Sequence, residues 1–384
     1  MTGSWGEVRL NDIVVRDGTV LDPSQAIYER MDVAISKGKI VDLRRGINTS
    51  DARYVVDASG LIVTPGFVDL HVHCCHKIAH IGIDPELACL AKGSTTVLDA
   101  GSTGELSFAG FRKYVIEPSR TQILALLNIE SLGMIEFGRE NQRWPELITG
   151  HDEMFINLDG TIEMIERNRD IIVGVKWAHH GLSGLDLAKK AADKIGCLLM
   201  AENHYQPETL KYLGKGDIVT HLYHGITTRS HDGLLDDDGN VQPEFFDAVK
   251  RGVILDVGHG AGSFAWGVAE KGLQQGIQPD TISTDLHTKS VNGPVYDMST
   301  TMSKFLLLGM SVEDIVKAST ARPAEVLEKR DMIGTLKVGA CADLALLKLE
   351  EGRFRFVDVK GVERIGKQRI TVEKVVKSGE IVLY

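Results

Sequence analysis

The stretch GFVDLHVHCCHK holds five potential metal ligands within six positions: His71, His73, Cys74, Cys75 and His76. Three interpretations are open: a zinc clip, a buried strand with incidental histidines, or half of a catalytic metal site. Residues two apart on a β-strand face the same side, so His71 and His73 can bind one cation together. Cys74 and Cys75 cannot both face that side, and closed zinc sites space their cysteines by about two to four residues. We therefore expect Cys74, Cys75 and His76 to begin a loop.

Four more ionisable residues stand near the ends of later apolar runs. They are Lys176 in VGVKWA, His204 in LLMAENH, His221 in IVTHLYHG and Asp285 in ISTDLH. Each has an ordinary explanation alone: a salt bridge for the lysine, a backbone hydrogen bond for a histidine, a helix cap for the aspartate. A buried neutral lysine could instead react with CO₂ and form a carbamate, whose two oxygens can bridge two metals.

Eight short apolar runs position these residues. Such runs are typical of strands buried on both faces of a parallel sheet, and helix-like stretches such as SVEDIVKASTA separate them. Eight units in one block predict a closed (β/α)₈ TIM barrel of the α/β class. Most runs are apolar until their last few residues and then contain His, Asp, Lys, Asn or Glu, as expected where strand ends form an active-site face. The runs are GFVDLHVH, STTVLDAG, ILALLNIES, IIVGVKWA, CLLMAENH, IVTHLYHG, VILDVGHG and TISTDLH.

The two ends of the chain show another pattern. Residues 1–64 and 331–384 contain segments that alternate apolar and polar side chains and are broken by Gly-containing turns, as half-buried antiparallel strands are. Neither end offers enough apolar surface for its own core, so we expect the two ends to pair into one small β-domain beside a barrel at residues 65–330. The long connection from about residue 130 to residue 160 could form a lid or a packed surface loop.

The composition favours a small-molecule substrate. The chain has 53 acidic and 43 basic residues, a formal charge of −10 and no basic run, which argues against nucleic acid or a membrane surface as partner. No apolar stretch is long enough to span a bilayer, and the first residues lack the pattern of a secretory signal. The 5 cysteines are scattered rather than arranged as a disulfide framework. These features predict a cytoplasmic protein.

The set of ionisable residues resembles that of the amidohydrolase superfamily of metal-dependent hydrolases. The family pattern, as it stands here, is HVH on strand 1, Lys on strand 4, His on strands 5 and 6, and Asp on strand 8. The barrel of this family is flanked by a β-sandwich built from both termini. GFVDLHVH and GTLKVGACADLALL are also similar to the segments that lead into and out of the family's barrel.

The resemblance implies a binuclear centre. Two divalent ions, expected to be Zn²⁺, would be held by His71, His73 and Asp285 on one side, by His204 and His221 on the other, and by carbamylated Lys176 and a hydroxide between them. The anionic ligands leave about one positive charge to polarise a substrate carbonyl. The hydroxide would attack an ester or amide carbonyl, and Asp285 would serve as general base and then as general acid.

Two later stretches narrow the expected substrate. DVGHGAGSFAW and TDLHTKSVNGPVYDM resemble a dihydroorotase-like or deacetylase-like branch, which implies a small acylated compound, with acetylated α-hydroxy or α-amino acids as the expected substrates. A cyclic amidase is the alternative within that branch. The candidate substrate-binding residues are His259, Tyr223, Arg229, Asn292 and Tyr296.

These five candidates are chosen for different reasons. His259 lies on strand 7 and could bond an oxyanion or merely be satisfied by its Gly-rich turn. Strand alternation puts Tyr223 on the face of His221, and Arg229 could pair with a substrate carboxylate or be a solvated loop residue. The other two residues lie in the Gly-Pro loop after strand 8, where binding residues of a barrel belong.

Two other functions use the same scaffold. A mononuclear deaminase of purines or pyrimidines would need a glutamate proton shuttle, for which Glu202 is the candidate, and would leave Lys176 without a role. A scaffolding protein that has lost its ligands is the non-enzymatic alternative, although every ligand position is filled here. The resemblance also favours a homo-oligomer over a monomer.

Overall fold

The computed structural model describes residues 11–50, 52–135, 155–178, 182–202, 208–225 and 233–383. Within these ranges the strands form two sheets. One sheet is built from both ends of the chain and the other from the middle, as the two sequence patterns predict.

The N-terminal strands follow the alternating pattern. They are β1 (Asn11–Asp22), β2 (Ile27–Ser36), β3 (Lys39–Arg44), β4 (Ala52–Asp57) and β5 (Ile62–Pro65). Strands β1, β2 and β3 pair antiparallel in this order, whereas β4 and β5 run parallel to β1. Among the pairings within the N-terminal segment, the expected antiparallel arrangement therefore holds for β1, β2 and β3 and fails for β4 and β5.

Seven parallel strands form the second sheet, in their order along the chain. They are β6 (Phe67–Val72), β7 (Ser94–Ala100), β8 (Gln122–Asn128), β9 (Ile172–Trp177), β10 (Leu198–Glu202), β11 (Ile218–Thr220) and β12 (Ile254–Leu255). Each coincides with one of the first seven apolar runs.

The eighth apolar run closes the barrel without forming a regular strand. Parallel bridges pair Leu286 with Val72 of β6, and Thr281 with Asp256, which follows β12. The segment therefore contacts both edges of the seven-stranded sheet. Asp285 has a φ of 47°, which is outside the β region and interrupts the ladder. The predicted (β/α)₈ class is confirmed, with an irregular eighth strand.

Helices follow most of the strands and pack against the barrel. The described helices are α1 (Pro85–Ala88), α2 (Phe108–Phe111), α3 (Leu158–Arg167), α4 (Leu182–Ile195), α5 (Glu208–Tyr212), α6 (Pro243–Arg251), α7 (Trp266–Gln274), α8 (Met298–Leu307), α9 (Val312–Ser319) and α10 (Ala321–Val326). Ser311 caps the N-terminus of α9, because its hydroxyl accepts the Asp314 N–H at 3.0 Å. No helix in the described ranges is both long and apolar enough to cross a membrane.

The C-terminal strands complete the first sheet. They are β13 (Leu344–Val357), β14 (Glu363–Lys377) and β15 (Glu380–Ile381). Strand β13 pairs antiparallel with β5, which joins the two ends of the chain in one sheet. The sandwich built from both termini is thereby confirmed, and the exact domain boundaries at residues 64–65 and 330–331 stay a prediction. The turn between β13 and β14 reaches the barrel, where the Val359 N–H donates to the Phe264 carbonyl.

Candidate metal and catalytic site

Three of the predicted ligands converge at the carboxyl ends of the barrel strands. His71, His73 and Asp285 are buried, and one ligand atom from each lies within 4.8 Å of the others. Asp285 Oδ1 is 3.5 Å from His71 Nε2 and 3.3 Å from His73 Nε2. The two imidazoles therefore face one carboxylate, an arrangement that suits a divalent cation.

A hydroxyl and a carboxylate set the tautomer of His71. His71 Nδ1 is 2.9 Å from Thr220 Oγ1, and the Thr220 hydroxyl donates to Asp256 Oδ2 at 2.8 Å. Because the hydroxyl has one proton and gives it to Asp256, it must accept the Nδ1 proton of His71. This leaves the lone pair of His71 on Nε2, the nitrogen that faces Asp285.

The same logic fixes the tautomer of His73. Its Nδ1 is 3.0 Å from Ser102 Oγ, and the Ser102 hydroxyl donates to Asp99 Oδ2 at 2.8 Å. The proton of Ser102 is thus taken by Asp99, so His73 donates from Nδ1 and keeps its lone pair on Nε2. Both histidines of the HVH motif therefore turn the lone pair of Nε2 toward Asp285.

Buried atoms without a hydrogen-bond partner also indicate that His71, His73 and Asp285 fit a metal ion. His71 Nε2 and Asp285 Oδ1 are buried and have no hydrogen-bond partner among the described residues. Burial, together with Lys176, lowers the pKa of His71 well below its ordinary value, which keeps the ring neutral. Burial alone would raise the pKa of Asp285, but His71 and His73 outweigh burial and hold this pKa well below its usual range. A cation between a neutral imidazole and a carboxylate would satisfy both atoms.

Lys176 and His221 form a second group beside the first. The ring centroids of His71 and His221 are 5.0 Å apart. Glu202 Oε1 lies 3.6 Å from Lys176 Nζ and 3.6 Å from His221 Nε2. His221 donates from Nδ1 to the Gly258 carbonyl oxygen at 2.7 Å, since a carbonyl can only accept. Its Nε2 therefore faces the site.

The environment of Lys176 lowers the pKa of its amine. The side chain is fully buried, and burial lowers its pKa although Glu202 and Asp285 oppose the shift. Gly101 has a φ of 80°, and a Cβ at this position would lie 2.6 Å from Lys176 Cβ. The glycine at the end of β7 therefore makes room for the lysine.

Two of the predicted ligands have left-handed backbone conformations. The φ of His221 is 63° and that of Asp285 is 47°. Neither residue is a glycine, and such conformations at non-glycine positions are uncommon and cluster at functional sites. They turn each side chain out of the strand alternation.

His259, a predicted substrate contact, makes its contacts within the protein. His259 is fully buried and stacks on Phe264 with centroids 4.6 Å apart. Its Nδ1 donates to the Gly260 carbonyl oxygen at 2.9 Å, and its Nε2 lies 2.7 Å from Lys304 Nζ. Both ring nitrogens are therefore occupied within the protein, so His259 has no free group for a substrate.

Tyr223 also differs from its prediction. It is fully buried, its hydroxyl donates to the Ile277 carbonyl oxygen at 3.2 Å, and its ring packs against Phe264 and Phe305. The alternation that would place it beside His221 fails because β11 ends at Thr220 and the chain turns at His221. Tyr223 is a residue of the hydrophobic core.

The other predicted substrate contacts stay predictions. Asn292 and Tyr296 are exposed in the loop that follows Asp285, and a Cβ on Gly293 would lie 2.8 Å from the Tyr296 hydroxyl. His204 and Arg229 lie outside the described residues, as do positions 136–154 of the long connection. Cys74 and Cys75 are buried thiols, and the described metal-binding group does not include them.

Sequence reasoning missed the residues that hold the ligands in place. These are Thr220, Asp256, Ser102, Asp99 and Gly258. Asp99 lies near the end of STTVLDAG and Asp256 lies within VILDVGHG, so polar residues in apolar runs were a usable signal. Their pairing across strands could not be read from the sequence.

Comparisons with known proteins agree with this geometry. The sequence model of the protein family described as "Amidohydrolase family" matches residues 265–382 of this chain. A deacetylase of Agrobacterium fabrum is 38% identical over 339 residues, which cover 84% of this chain and 79% of that protein. A solved dihydroorotase structure is 33% identical, with a TM-score of 0.85. The match covers 96% of this chain and 98% of the dihydroorotase chain. A solved adenine deaminase structure is 28% identical, with a TM-score of 0.86. The match covers 97% of this chain and 100% of the deaminase chain. The chain thus belongs to the amidohydrolase family and is a hydrolase.

Proposed function

We propose that the protein is a binuclear metal-dependent hydrolase that cleaves an ester or amide bond of a small acylated compound. The observation that carries this proposal is the pair of buried, unpartnered atoms, His71 Nε2 and Asp285 Oδ1, beside a second histidine in the same tautomer. A buried polar atom without a partner is costly unless a ligand satisfies it. Metal ions are the ligands that this donor set fits.

The proposed metal ligands form two sets, one for each ion. His71, His73 and Asp285 would hold one ion, expected to be Zn²⁺, and His221 would hold the other together with His204. When bound, the ions would polarise the acyl carbonyl and lower the pKa of a water molecule toward about 7.

Lys176 would bridge the two ions as a carbamate. Its buried amine is shifted toward the neutral form, which is the form that attacks CO₂. The new N–C bond produces an anion with two oxygens and releases one proton. The resulting negative charge would offset part of the positive charge of two divalent ions.

Asp285 is the residue proposed to move the proton. Its carboxylate lies between His71 and His73 and is held there by the left-handed backbone at this position. As water adds to the acyl carbon, Asp285 would take the proton of that water. It would then give the proton to the alcohol or amine that leaves when the acyl bond breaks.

We infer a deacetylase-type substrate from the relative of Agrobacterium fabrum, which is named a deacetylase. Acetylated α-hydroxy or α-amino acids are the expected substrates. Asn292, Tyr296 and Arg229 are the residues proposed to contact them, with Arg229 as partner of the carboxylate. Because a structural neighbour is a dihydroorotase, opening of a cyclic amide is the alternative reaction of the same centre.

A mononuclear deaminase is the second candidate. Glu202 is buried within 3.6 Å of both Lys176 Nζ and His221 Nε2, where it could shuttle a proton. A structural neighbour is an adenine deaminase. This function would use one metal and release ammonia from a purine or pyrimidine.

Metal analysis combined with a substrate panel tests these alternatives. The protein, purified from zinc-supplemented medium with bicarbonate, is analysed for metal per chain and assayed on acetylated hydroxy acids, N-acetyl amino acids, cyclic amides and aminopurines. Two metals per chain and turnover of an acetylated acid are expected. One metal per chain with ammonia release from a purine would replace the proposal by the deaminase.

A further inference from the structure

Lys304 is a buried lysine outside the predicted ligand set. It lies in α8, and its side chain is fully buried. Its ammonium group is 2.7 Å from His259 Nε2, 3.0 Å from the Pro294 carbonyl oxygen and 2.7 Å from the Val357 carbonyl oxygen. These three acceptors belong to the turn after β12, to the loop that follows Asp285 and to β13. One side chain therefore joins three separate parts of the fold.

The contacts of Lys304 use all three protons of the ammonium form. None of the acceptors brings a proton of its own, because two are carbonyls and the ring proton of His259 is on Nδ1. Burial lowers the pKa of Lys304 to about 7, and Asp358 partly opposes this shift. The ring centroid of Phe264 lies 5.5 Å from Nζ and adds a cation–π contact.

His259 connects Lys304 to the turn that carries two glycines. Nε2 accepts from Lys304, so Nδ1 holds the proton and donates it to the Gly260 carbonyl oxygen. This bond fixes the ring relative to its own backbone. Gly258 and Gly260 have φ values of 47° and 48°, which place them in the left-handed region.

The same turn contacts two candidate metal ligands. The Gly258 carbonyl oxygen accepts the Nδ1 proton of His221 at 2.7 Å. A Cβ on Gly260 would lie 2.1 Å from Asp285 Oδ2, so the backbone of the turn is packed directly on that carboxylate. A small displacement of the turn would move both ligands.

We propose that Lys304 is a positioning residue of the candidate site, which holds the turn of residues 258–260 through His259 and thereby orients His221 and Asp285. This inference rests on the proposed metal-dependent function. It gives His259 a role that does not require contact with the substrate. It also links the terminal sheet to the barrel site, because Val357 provides one of the three acceptors.

Lys304→Met tests the proposal, because methionine has a similar length and no donor. Lys377→Met is the matched control. Lys377 is also a buried lysine, but its Nζ donates to Asp343 Oδ2 at 2.7 Å within the terminal sheet. Both substitutions remove a buried cation and lower stability. Only Lys304→Met should change the site.

Two measurements on the folded proteins separate these effects. Competition with a chelator gives the zinc affinity, which should fall about 10- to 100-fold in Lys304→Met and stay near the wild-type value in Lys377→Met. Ring ¹⁵N shifts of labelled histidine in the metal-free protein report the hydrogen bonding of His259. The proton should stay on Nδ1 in both proteins, because the Gly260 carbonyl oxygen still accepts it, and in Lys304→Met the Nε2 shift should move toward that of a ring nitrogen without a hydrogen bond.

The outcomes decide the proposal separately from the proposed function. An unchanged His259 Nε2 shift, or a zinc affinity no weaker than in Lys377→Met, overturns it. If the wild type binds no zinc, the proposed function fails, and the comparison of Nε2 shifts alone decides whether Lys304 holds His259.

A second variant keeps the test valid if Lys304→Met does not fold. His259→Phe preserves the stack on Phe264 and removes the acceptor of Lys304. It should lose as much zinc affinity as Lys304→Met, and the double variant should lose no more than either single one, because the two residues act in series. Losses that multiply would show independent effects and reject the inference.

Discussion

The two halves of the candidate site are held in different ways. In the half around His71, His73 and Asp285, each imidazole donates its Nδ1 proton to a hydroxyl whose own proton is already taken. In the other half, Lys176 and His221 surround the carboxylate of Glu202. The first half offers a neutral imidazole and a carboxylate to a cation. The second half contains groups of both charge signs.

This difference indicates how each half becomes competent to bind a metal. Burial lowers the pKa of His71, so that half needs no change of protonation. For His221, burial would lower the pKa, but Glu202 outweighs burial and raises it. Lys176 must lose a proton and gain a carboxylate before it can serve as an anionic ligand. We expect the first half to bind metal by preorganisation and the second half to depend on CO₂.

Substitution of Asp285 by Asn should have the largest effect. It removes a metal ligand of the first half and the proposed proton carrier, so turnover should fall by about 10²- to 10⁴-fold or more. Steady-state kinetics and metal analysis measure both losses. Asp280→Asn is the control. Asp280 directly precedes the eighth apolar run, which contains Asp285, and its Oδ1 lies 2.8 Å from Arg322 Nη2. Full metal content with undiminished turnover in Asp285→Asn would exclude it as the proton carrier.

Lys176 allows the second half to be tested alone. Lys176→Met keeps the length of the side chain and removes any anion, and it should reduce bound metal from two ions to one and turnover by about two orders of magnitude. Lys176→Glu restores a carboxylate and should recover part of both. If the two variants bind equal metal, Lys176 does not act through an anion.

Thr220 provides a smaller and more selective perturbation of the first half. Thr220→Val removes the acceptor of the His71 Nδ1 proton and should weaken zinc binding about 10- to 100-fold, whereas Thr220→Ser should not. Thr281→Val is the matched control. The Thr281 hydroxyl also donates to Asp256, at 2.6 Å, but it makes no hydrogen bond to a histidine of the described residues. Equal losses in both valine variants would mean that Asp256, not the His71 tautomer, is responsible.

Tyr223→Phe should have the smallest effect and lies outside both halves. It removes the hydrogen bond to the Ile277 carbonyl and should cost about 1 kcal/mol of stability. Thermal or denaturant unfolding measures this loss. Kinetic constants of the folded variant should equal those of the wild type, and a raised KM would return Tyr223 to the substrate pocket.

The fold was more predictable than the site. Continuous apolar runs identified seven regular barrel strands, because strands buried on both faces have few other compositions available. The eighth run was located correctly, but its irregular backbone was not foreseen. Strand alternation placed Tyr223 beside His221, and this failed because the backbone of His221 is left-handed. Periodicity arguments hold only while the backbone stays regular.

The sequence by itself determined which residue types stand at the barrel ends, and hence the candidate ligands His71, His73, Lys176, His221 and Asp285. It also predicted the barrel and the sheet from both termini, since only a few arrangements of such elements bury their apolar faces. Only the tertiary structure decided which nitrogen of each histidine faces the site. That choice depends on acceptors from other strands, and hydrogen bonds between residues far apart in sequence exist only once the barrel has closed.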